Sequence, residues 1–286
     1  MTPTSSPRPT IGVACKWVDL RPEIDPLSGS IHDDVHSFGC SEADRAALEW
    51  ALRLAEDWPG EVAPEVVVVT AGPAAADALL RDALAAGAQR AVRVETSADA
   101  ASNEVASALA TVLEGFDLIC CGDYSVDRGS GSVPAFLAAE LGAAQALGLV
   151  HLERGDGAVL RVTRRLDHGR REVLAVRSPA VLSFEGSSAE LRRAGLAATL
   201  SARTAEVDVR RMAPLHAVRT RVARRAPYRP RARALPAPAA DLDVRARVLS
   251  LTGALVERTP PRTVHADAAE AADLVLDQLR SWGYLE

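Results

Sequence analysis

The chain has 286 residues, 48% of them hydrophobic and 25% charged, which is enough for one sizeable core or two small ones. No apolar run approaches the roughly 18 to 20 residues of a membrane-spanning helix. The Pro-, Ser- and Thr-rich segment 1–10 lacks a signal-peptide core, and we expect it to be disordered. The net charge of −5 argues against a general nucleic-acid binder. We therefore expect a cytoplasmic protein without membrane insertion.

The chemistry-bearing residue types give little sign of catalysis. Four cysteines, Cys15, Cys40, Cys120 and Cys121, are too few and too irregularly spaced for a disulfide framework or a zinc site. The adjacent Cys120 and Cys121 lie in an apolar run, so core packing is the simplest interpretation. The sequence has no GxSxG elbow and no Gly-Lys-Ser/Thr phosphate loop. We predict no metal site, no catalytic residues and a protein that is not itself an enzyme.

The first two thirds of the chain alternate β-branched runs with Ala- and Leu-rich amphipathic stretches, as parallel strands joined by crossover helices do. We predict strands at 10–18, 66–71, 91–95 and 118–122. We predict that the helices between and after them begin near Ser41, Pro73, Ala100 and Val133, with Ser41 as an N-cap. The pattern predicts an α/β fold with a doubly wound, mostly parallel sheet.

A β-hairpin is predicted after the parallel strands, because the periodicity changes from helical to alternating beyond residue 147. Two alternating runs, 159–164 and 172–176, are separated by the turn residues Asp167-His168-Gly169. A buried strand is predicted at 180–183.

The last quarter of the chain has a different composition. Segment 213–243 is rich in Pro and Arg, which predicts a linker or an extended arm. Helical periodicity returns at 268–282. We therefore expect a main domain at 11–212, the linker or arm at 213–243, and a C-terminal arm with a helix at 244–286.

Small residues stand at the carboxyl ends of the predicted strands, where open parallel sheets bind their ligands. Ala14 and Ala71 would let an adenine ring lie close to two of these ends. After the fourth strand, the loop from Gly122 to Val133 presents backbone N–H groups before a helix, as phosphate-binding loops do. By itself, a loop of this kind is more often an ordinary strand-to-helix connection.

Three side chains of this loop offer further contacts to a nucleotide. Ser130 and Ser132 carry hydroxyl donors. Asp127 can bind ribose hydroxyls or cap the loop, and the sequence leaves both roles open.

The hairpin segment carries a distinctive motif, VTRRLDHGRREVL at 162–174, followed after four residues by PAVLS at 179–183. It resembles the signature of electron transfer flavoprotein beta subunits, with one departure at His168, where that family prefers Gly or an acid. Further blocks follow the family's order and spacing, at 13–18, 46–54, 71–73 with 83–88, and 141–145. The resemblance covers about residues 11–209.

The resemblance implies a Rossmann-like fold of the adenine nucleotide alpha hydrolase type, and a heterodimer. In that family the alpha subunit holds the redox-active FAD, and the beta subunit buries an adenine nucleotide, usually AMP and in bifurcating relatives a second FAD. The dimer carries electrons from a dehydrogenase to a quinone oxidoreductase or another acceptor. By position, the nucleotide contacts fall on Ala14, Ser41, Asp44, Ala71, Gly122, Asp123, Tyr124, Ser125, Val126, Asp127, Gly129, Ser130, Gly131, Ser132 and Val133.

Two segments depart from the family pattern. Many relatives have an acid-rich run with Asn-Gln-Thr-Gly in the nucleotide loop, whereas 127–134 here reads DRGSGSVP, which keeps backbone donors but loses side-chain donors. Relatives that serve acyl-CoA dehydrogenases have a leucine anchor in an Arg-Leu-Asn-Glu-Pro context, whereas 187–193 here reads SSAELRR. Since such anchors dominate docking, we expect a different dehydrogenase to be recognised by Ala189, Leu191, Arg192 and Leu196.

The Arg-rich arm and the ending DQLRSWGYL at 277–285 look similar to the actinobacterial branch associated with the mycofactocin redox system. An alternative function is a stand-alone adenine-nucleotide-binding module of the universal stress protein type, without flavin. The hairpin motif and the arm favour the electron carrier, since a free-standing module needs no arm.

Overall fold

The computed structural model describes residues 8–32, 34–59, 62–156, 159–211, 237–239, 241–252 and 263–285. The chain divides into two units, Met1–Tyr228 and Arg229–Glu286. In the first unit a nine-stranded sheet carries helices on both faces. The described residues of the second unit include two helices.

Thirteen strands lie in the described residues: β1 (Thr10–Ala14), β2 (Trp17–Asp19), β3 (Glu23–Ile24), β4 (Ile31–His32), β5 (Phe38–Cys40), β6 (Glu65–Gly72), β7 (Arg90–Glu95), β8 (Leu118–Gly122), β9 (Ala144–Arg154), β10 (Val159–Arg165), β11 (Arg171–Arg177), β12 (Ala180–Phe184) and β13 (Asp208–Arg211). The α-helices of the same residues are α1 (Glu42–Glu56), α2 (Asp77–Ala86), α3 (Ser102–Leu113), α4 (Val133–Leu141), α5 (Leu196–Ala202), α6 (Val244–Thr252) and α7 (Ala268–Ser281).

The strand order of the large sheet is β11-β10-β9-β12-β8-β1-β6-β7-β13. The seven neighbouring strands from β9 to β13 in this order pair in parallel. Strand β10 pairs antiparallel with both β9 and β11, so it alone among the nine strands runs in the opposite direction. From the central β1 the chain moves outward through β6 and β7, then returns through α3 to β8 on the other side of β1. The carboxyl ends of β1 and β8 therefore flank the point at which the strand order reverses, and the doubly wound α/β prediction is confirmed.

The sheet is buried on both faces, which explains the unbroken apolar run of β6. Val66 and Val68 pack on one face with α1 and α2, whereas Val67 and Val69 pack on the other face with α3 and α4. Cys120 and Cys121 are buried free thiols of the same core, as the sequence predicted.

Most predicted elements agree with the structure. Strand β8 and helix α4 have the predicted bounds, and Ser41 caps α1 by accepting the backbone N–H of Asp44. The hairpin formed by β10 and β11 and the strand β12 are also confirmed. In the hairpin turn His168 has a φ of 60°, a left-handed conformation that glycine adopts most easily.

Several boundaries were predicted wrongly. The first strand was expected at 10–18, but β1 ends at Ala14 and β2 pairs with β5 in a separate ribbon. The chain leaves the sheet because the N–H of Lys16 donates to the Asp44 carboxylate. The second helix was expected from Pro73, but a 3₁₀ turn precedes α2, which begins at Asp77. Strands β9 and β13 were not predicted.

In the second unit, α7 confirms the predicted terminal helix, and Asp267 caps it by accepting the N–H groups of Ala269 and Glu270. Residues 212–236 and 240, which include most of the predicted Pro- and Arg-rich linker, lie outside the described residues. No helix in the described ranges is long and apolar enough to cross a membrane.

Phe184 should be a major contributor to core stability. Its side chain is fully buried and stacks on Trp50 with ring centroids 6.0 Å apart. Phe184→Ala is expected to lower the free energy of unfolding by about 3 to 5 kcal/mol, because it removes buried area and leaves a cavity. Phe136→Ala, at a side chain that is 44% exposed, is expected to cost about 1 kcal/mol or less. Urea denaturation would measure both, and equal losses would contradict the assignment.

Candidate functional site

A cleft opens at the reversal point of the sheet, beyond the carboxyl ends of β1, β6 and β8. Its volume is about 100 Å³, below the roughly 300 to 1,000 Å³ of typical small-molecule sites. The cleft is lined by Ala14, Cys15, Lys16, Trp17, Asp44, Ala71, Gly72, Pro73, Ser97, Ala98, Ala100, Ser102, Val105, Leu109, Cys121, Gly122, Tyr124, Ser125, Arg128, Ser130, Gly131, Ser132, Val133 and Pro134.

The buried carboxylate of Asp44 ties the elements of this cleft together. Its Oδ2 accepts the backbone N–H of Lys16, after β1, at 3.0 Å, and its Oδ1 accepts that of Gly122, at the end of β8, at 3.1 Å. Burial raises the pKa of Asp44 from 3.8 to about 6, although these hydrogen bonds partly oppose the shift. Asp44 therefore fixes the two strand ends to the first turn of α1.

Two glycines allow the backbone to pass close to neighbouring groups. A Cβ at Gly122 would lie 2.5 Å from the Asp44 Oδ1, so the end of β8 can approach α1 this closely only without a side chain. Gly131 has a φ of 56°, and a Cβ there would lie 2.4 Å from the Asp123 carbonyl oxygen. Any side chain at Gly131 would therefore distort the loop itself.

The loop enters α4 with its first backbone N–H groups uncapped by a side chain. Ser132 is the N-cap residue but makes no capping hydrogen bond, and its hydroxyl lies 3.1 Å from that of Ser130. Uncapped N–H groups at the start of a helix form a site that favours anions. A helix start without a side-chain cap is better suited to binding a phosphate than a capped helix start is.

Asp127 makes a contact that the sequence did not predict. Its two carboxylate oxygens accept hydrogen bonds from Lys16 Nζ at 2.6 and 2.5 Å, and its Oδ1 also accepts the N–H of Arg128. Burial alone would raise the pKa of Asp127, but these hydrogen bonds and the charge of Lys16 hold it below the ordinary value.

The structure brings together most of the predicted nucleotide contacts. Ala14, Asp44 and Ala71 line the cleft with seven residues of the loop: Gly122, Tyr124, Ser125, Ser130, Gly131, Ser132 and Val133. Five predicted residues do not line it, namely Ser41, Asp123, Val126, Asp127 and Gly129. Ser41 lies behind Asp44, whose N–H it accepts.

Sequence reasoning missed two groups of cleft residues. Lys16 and Arg128 place cations at the cleft, and segment 97–102 forms another wall. The sequence contained a signal that could have identified each of these two groups. Lys16 is the only lysine and lies two residues after Ala14, a predicted contact, and 97–102 follows a predicted parallel strand on the same sheet edge.

A larger groove, of about 1030 Å³, lies between α3 and α4 at the opposite edge of the sheet, before β8 and β12. Its charged lining residues are Glu104, Glu114, Asp117 and Glu140. These acids would repel a phosphate, and parallel sheets bind ligands at the carboxyl ends of their strands. The smaller cleft is therefore the better candidate for binding an anionic ligand.

The predicted partner-recognition segment is fixed to the body of the domain at its first half. Ala189 and Leu191 pack against the core, and Arg192 binds the buried Glu49 of α1 through its backbone N–H and guanidinium. Burial opposes ionisation of Glu49, but the hydrogen bonds from Arg192 and Arg53 outweigh it and hold its pKa below the ordinary value. Only Leu196, 76% exposed at the start of α5, presents a large apolar side chain outward.

The fold and its cleft define a doubly wound α/β domain with a ligand crevice at the reversal point. The Electron transfer flavoprotein domain family matches residues 32–215. The electron transfer flavoprotein subunit beta of Syntrophomonas wolfei is 33% identical over 187 residues, which are 65% of this chain and 72% of the relative. The chain therefore belongs to the electron transfer flavoprotein family, among its beta subunits.

Other beta subunits give similar matches. That of Bradyrhizobium diazoefficiens is 37% identical over 155 residues, which are 54% of this chain and 60% of the relative. That of Mycobacterium tuberculosis is 32% identical over 183 residues, 61% of this chain and 67% of the relative. The chain thus spans about 60% of the first of these two relatives. Of the two functions that the sequence left open, these matches support the electron carrier.

Asp44 should make stability depend on pH. Between about pH 4 and pH 6 the unfolded chain has lost the Asp44 proton while the folded chain keeps it, so folding is progressively disfavoured as the pH rises. Relative to Asp44→Asn, which does not titrate, the parent is expected to lose up to about 3 kcal/mol of unfolding free energy across this window.

Urea denaturation at several pH values would measure this difference. Asp99→Asn, at an exposed position, is the control. The difference between its unfolding free energy and that of the parent should be the same at every pH. A constant offset for Asp44→Asn as well would show that Asp44 does not titrate in this range.

Proposed function

We propose that this chain is the beta subunit of a heterodimeric electron transfer flavoprotein that works in the cytoplasm and holds an adenine nucleotide in the cleft at the reversal point. The partner alpha subunit would hold the FAD, which supplies the electron-transfer chemistry when bound. Electrons would pass from a dehydrogenase to a quinone oxidoreductase or another acceptor. One observation supports the nucleotide site most directly. The same cleft contains small residues at the ends of its strands and a helix N-terminus that no side chain caps.

The cleft residues suit the two ends of an adenine nucleotide. Ala14 and Ala71 leave room beside the strand ends, and Val105 and Leu109 of α3 add an apolar wall for a flat ring. The phosphate would lie at the N-terminus of α4, where backbone N–H groups and the helix dipole stabilise negative charge. The ligand is AMP or the adenine half of a second FAD, because both present this ring and phosphate.

The nucleotide would serve structure rather than catalysis. A nucleotide bound in the cleft would contact the ends of β1 and β8 as well as α3 and α4. It would therefore stabilise the edge of the sheet from which the cleft loops extend. This chain's own residues would position the ligand and exclude water from it. No redox step is assigned to them.

The second unit supports an obligate partner. Helix α7 exposes Leu274, Val275 and Leu276, and α6 exposes Val248 and Leu251. Apolar side chains grouped in this way usually mark a protein interface. We assign them to contact with the alpha subunit.

The choice of dehydrogenase would depend on Leu196 rather than on the whole predicted segment. Leu191 is packed on the core and Arg192 is bound to Glu49, so neither is presented to a partner as fully as Leu196. Exposed apolar anchors that enter a partner's pocket contribute much of the docking energy.

Filling the cleft should prevent nucleotide binding. Ala71→Leu places a larger side chain among the lining residues, so the complex with the alpha subunit is expected to release little or no adenine nucleotide on denaturation. Ala78→Leu makes the same change on the exposed surface of α2 and should leave occupancy as in the parent. Mass spectrometry of the released nucleotide would measure both, and full occupancy in Ala71→Leu would place the nucleotide elsewhere.

Leu196 should control reduction by the dehydrogenase without affecting the flavin. Leu196→Ala is expected to raise the KM for the reducing dehydrogenase about tenfold or more, in the range of an interface anchor, with an unchanged visible spectrum. Leu27→Ala, at another exposed leucine, is the matched control. Arg192→Ala should instead lower the melting temperature, because it removes the two guanidinium hydrogen bonds to the buried Glu49 and leaves that carboxylate with Arg53 and one backbone N–H. Normal reduction kinetics in Leu196→Ala would exclude this docking role.

A further inference from the structure

The only lysine of the chain, Lys16, lies in the wall of the cleft. Lys16 lines the cleft directly after β1, and its backbone is held by Asp44. Its ammonium group nevertheless binds both carboxylate oxygens of Asp127, which does not line the cleft. The ion pair therefore joins the end of β1 to the loop before α4, and the charge of Asp127 offsets that of Lys16.

The position of Asp127 places it in competition with a phosphate. Asp127 lies in the loop whose last residues lead to the uncapped start of α4. A carboxylate and a phosphate are both anions with several oxygen acceptors, so a single ammonium group can satisfy either of them. While Asp127 holds Lys16, the ammonium group is occupied by a carboxylate that does not line the cleft.

The contacts of the other cleft cation support this interpretation. Arg128 donates to the carbonyl oxygen of Ala100 at 2.6 Å, a contact with 97–102 on the facing wall. Lys16 with Asp127, and Arg128 with Ala100, thus both join the loop to the opposite side of the cleft. These two contacts agree with a cleft of about 100 Å³, too small for a whole nucleotide.

The ion pair is weak enough to exchange. The side chains of Lys16 and Asp127 are 34% and 35% exposed, so water screens their attraction. A phosphate at the start of α4 would be held by backbone N–H groups as well as by the ammonium group, whereas Asp127 would keep the N–H of Arg128 after Lys16 had left it.

We propose that Lys16 is a phosphate-binding residue of the cleft and that Asp127 is an internal competitor, which holds Lys16 until a nucleotide phosphate replaces it. This inference rests on the nucleotide site proposed above. If the proposal holds, substitutions of Lys16 and of Asp127 have opposite effects on the affinity for AMP. If the ion pair merely supported the loop, the two substitutions would have the same effect.

Calorimetric titration of the complex with the alpha subunit, first with AMP and then with adenosine, tests the proposal, because adenosine lacks the phosphate. Asp127→Asn releases Lys16 and is expected to tighten AMP binding about fivefold, whereas Lys16→Met is expected to weaken it about tenfold. Adenosine affinity should stay unchanged in both. Lys16→Arg keeps the charge and should retain most of the AMP affinity. Asp208→Asn, which breaks the exposed ion pair with Arg210 on β13, is the matched control and should bind AMP as the parent does.

The outcomes separate this inference from the function on which it rests. A parent that binds neither AMP nor adenosine contradicts the nucleotide site itself. A parent that binds AMP, with weaker binding in both Lys16→Met and Asp127→Asn, shows an ion pair that only supports the loop and overturns the inference. Equal changes for AMP and adenosine overturn it as well. Should Lys16→Met fail to fold, the direction of the change in Asp127→Asn still decides.

Discussion

The buried carboxylate of Asp44 is the constraint on which the cleft depends. Two backbone N–H groups from different strands converge on it, and it belongs to the first turn of α1. Because a carboxylate has two acceptor oxygens, it can hold both strand ends at once. The same hydrogen bonds end the pairing of β1, turn the chain toward β2 and set the close approach of Gly122 to α1. Asp44 thereby fixes the geometry of the cleft, although its burial disfavours the charged form of its carboxyl group.

Helix α1 links the two regions to which we assign function. Its first turn holds the cleft through Asp44, and one turn further on Glu49 binds Arg192 of the docking segment. Trp50 extends this contact by donating its indole N–H to Ser188. The nucleotide cleft and the exposed Leu196 are therefore positioned by one rigid element.

The sequence predicted the features that depend on local pattern. The apolar run of β8 and the helix α4, with Pro134 near its start, were located correctly. It did not predict features that depend on distant partners. The early end of β1 depends on Asp44, 28 residues away, and the tethering of Arg192 depends on Glu49, 143 residues away. Which of the lining residues bind a nucleotide stays a prediction, as does the choice of dehydrogenase.

Among the strands that the structure describes, β11 is an edge of the large sheet, with one row of backbone N–H and C=O groups facing outward. Such an edge can accept a strand from another molecule, which is a common first step in aggregation. Here the strand begins with Arg171 and ends with Arg177, both exposed. Two copies approaching edge to edge would bring these guanidinium groups together, and their mutual repulsion would oppose pairing. The arginines of β11 therefore disfavour edge-to-edge pairing between two copies of this chain.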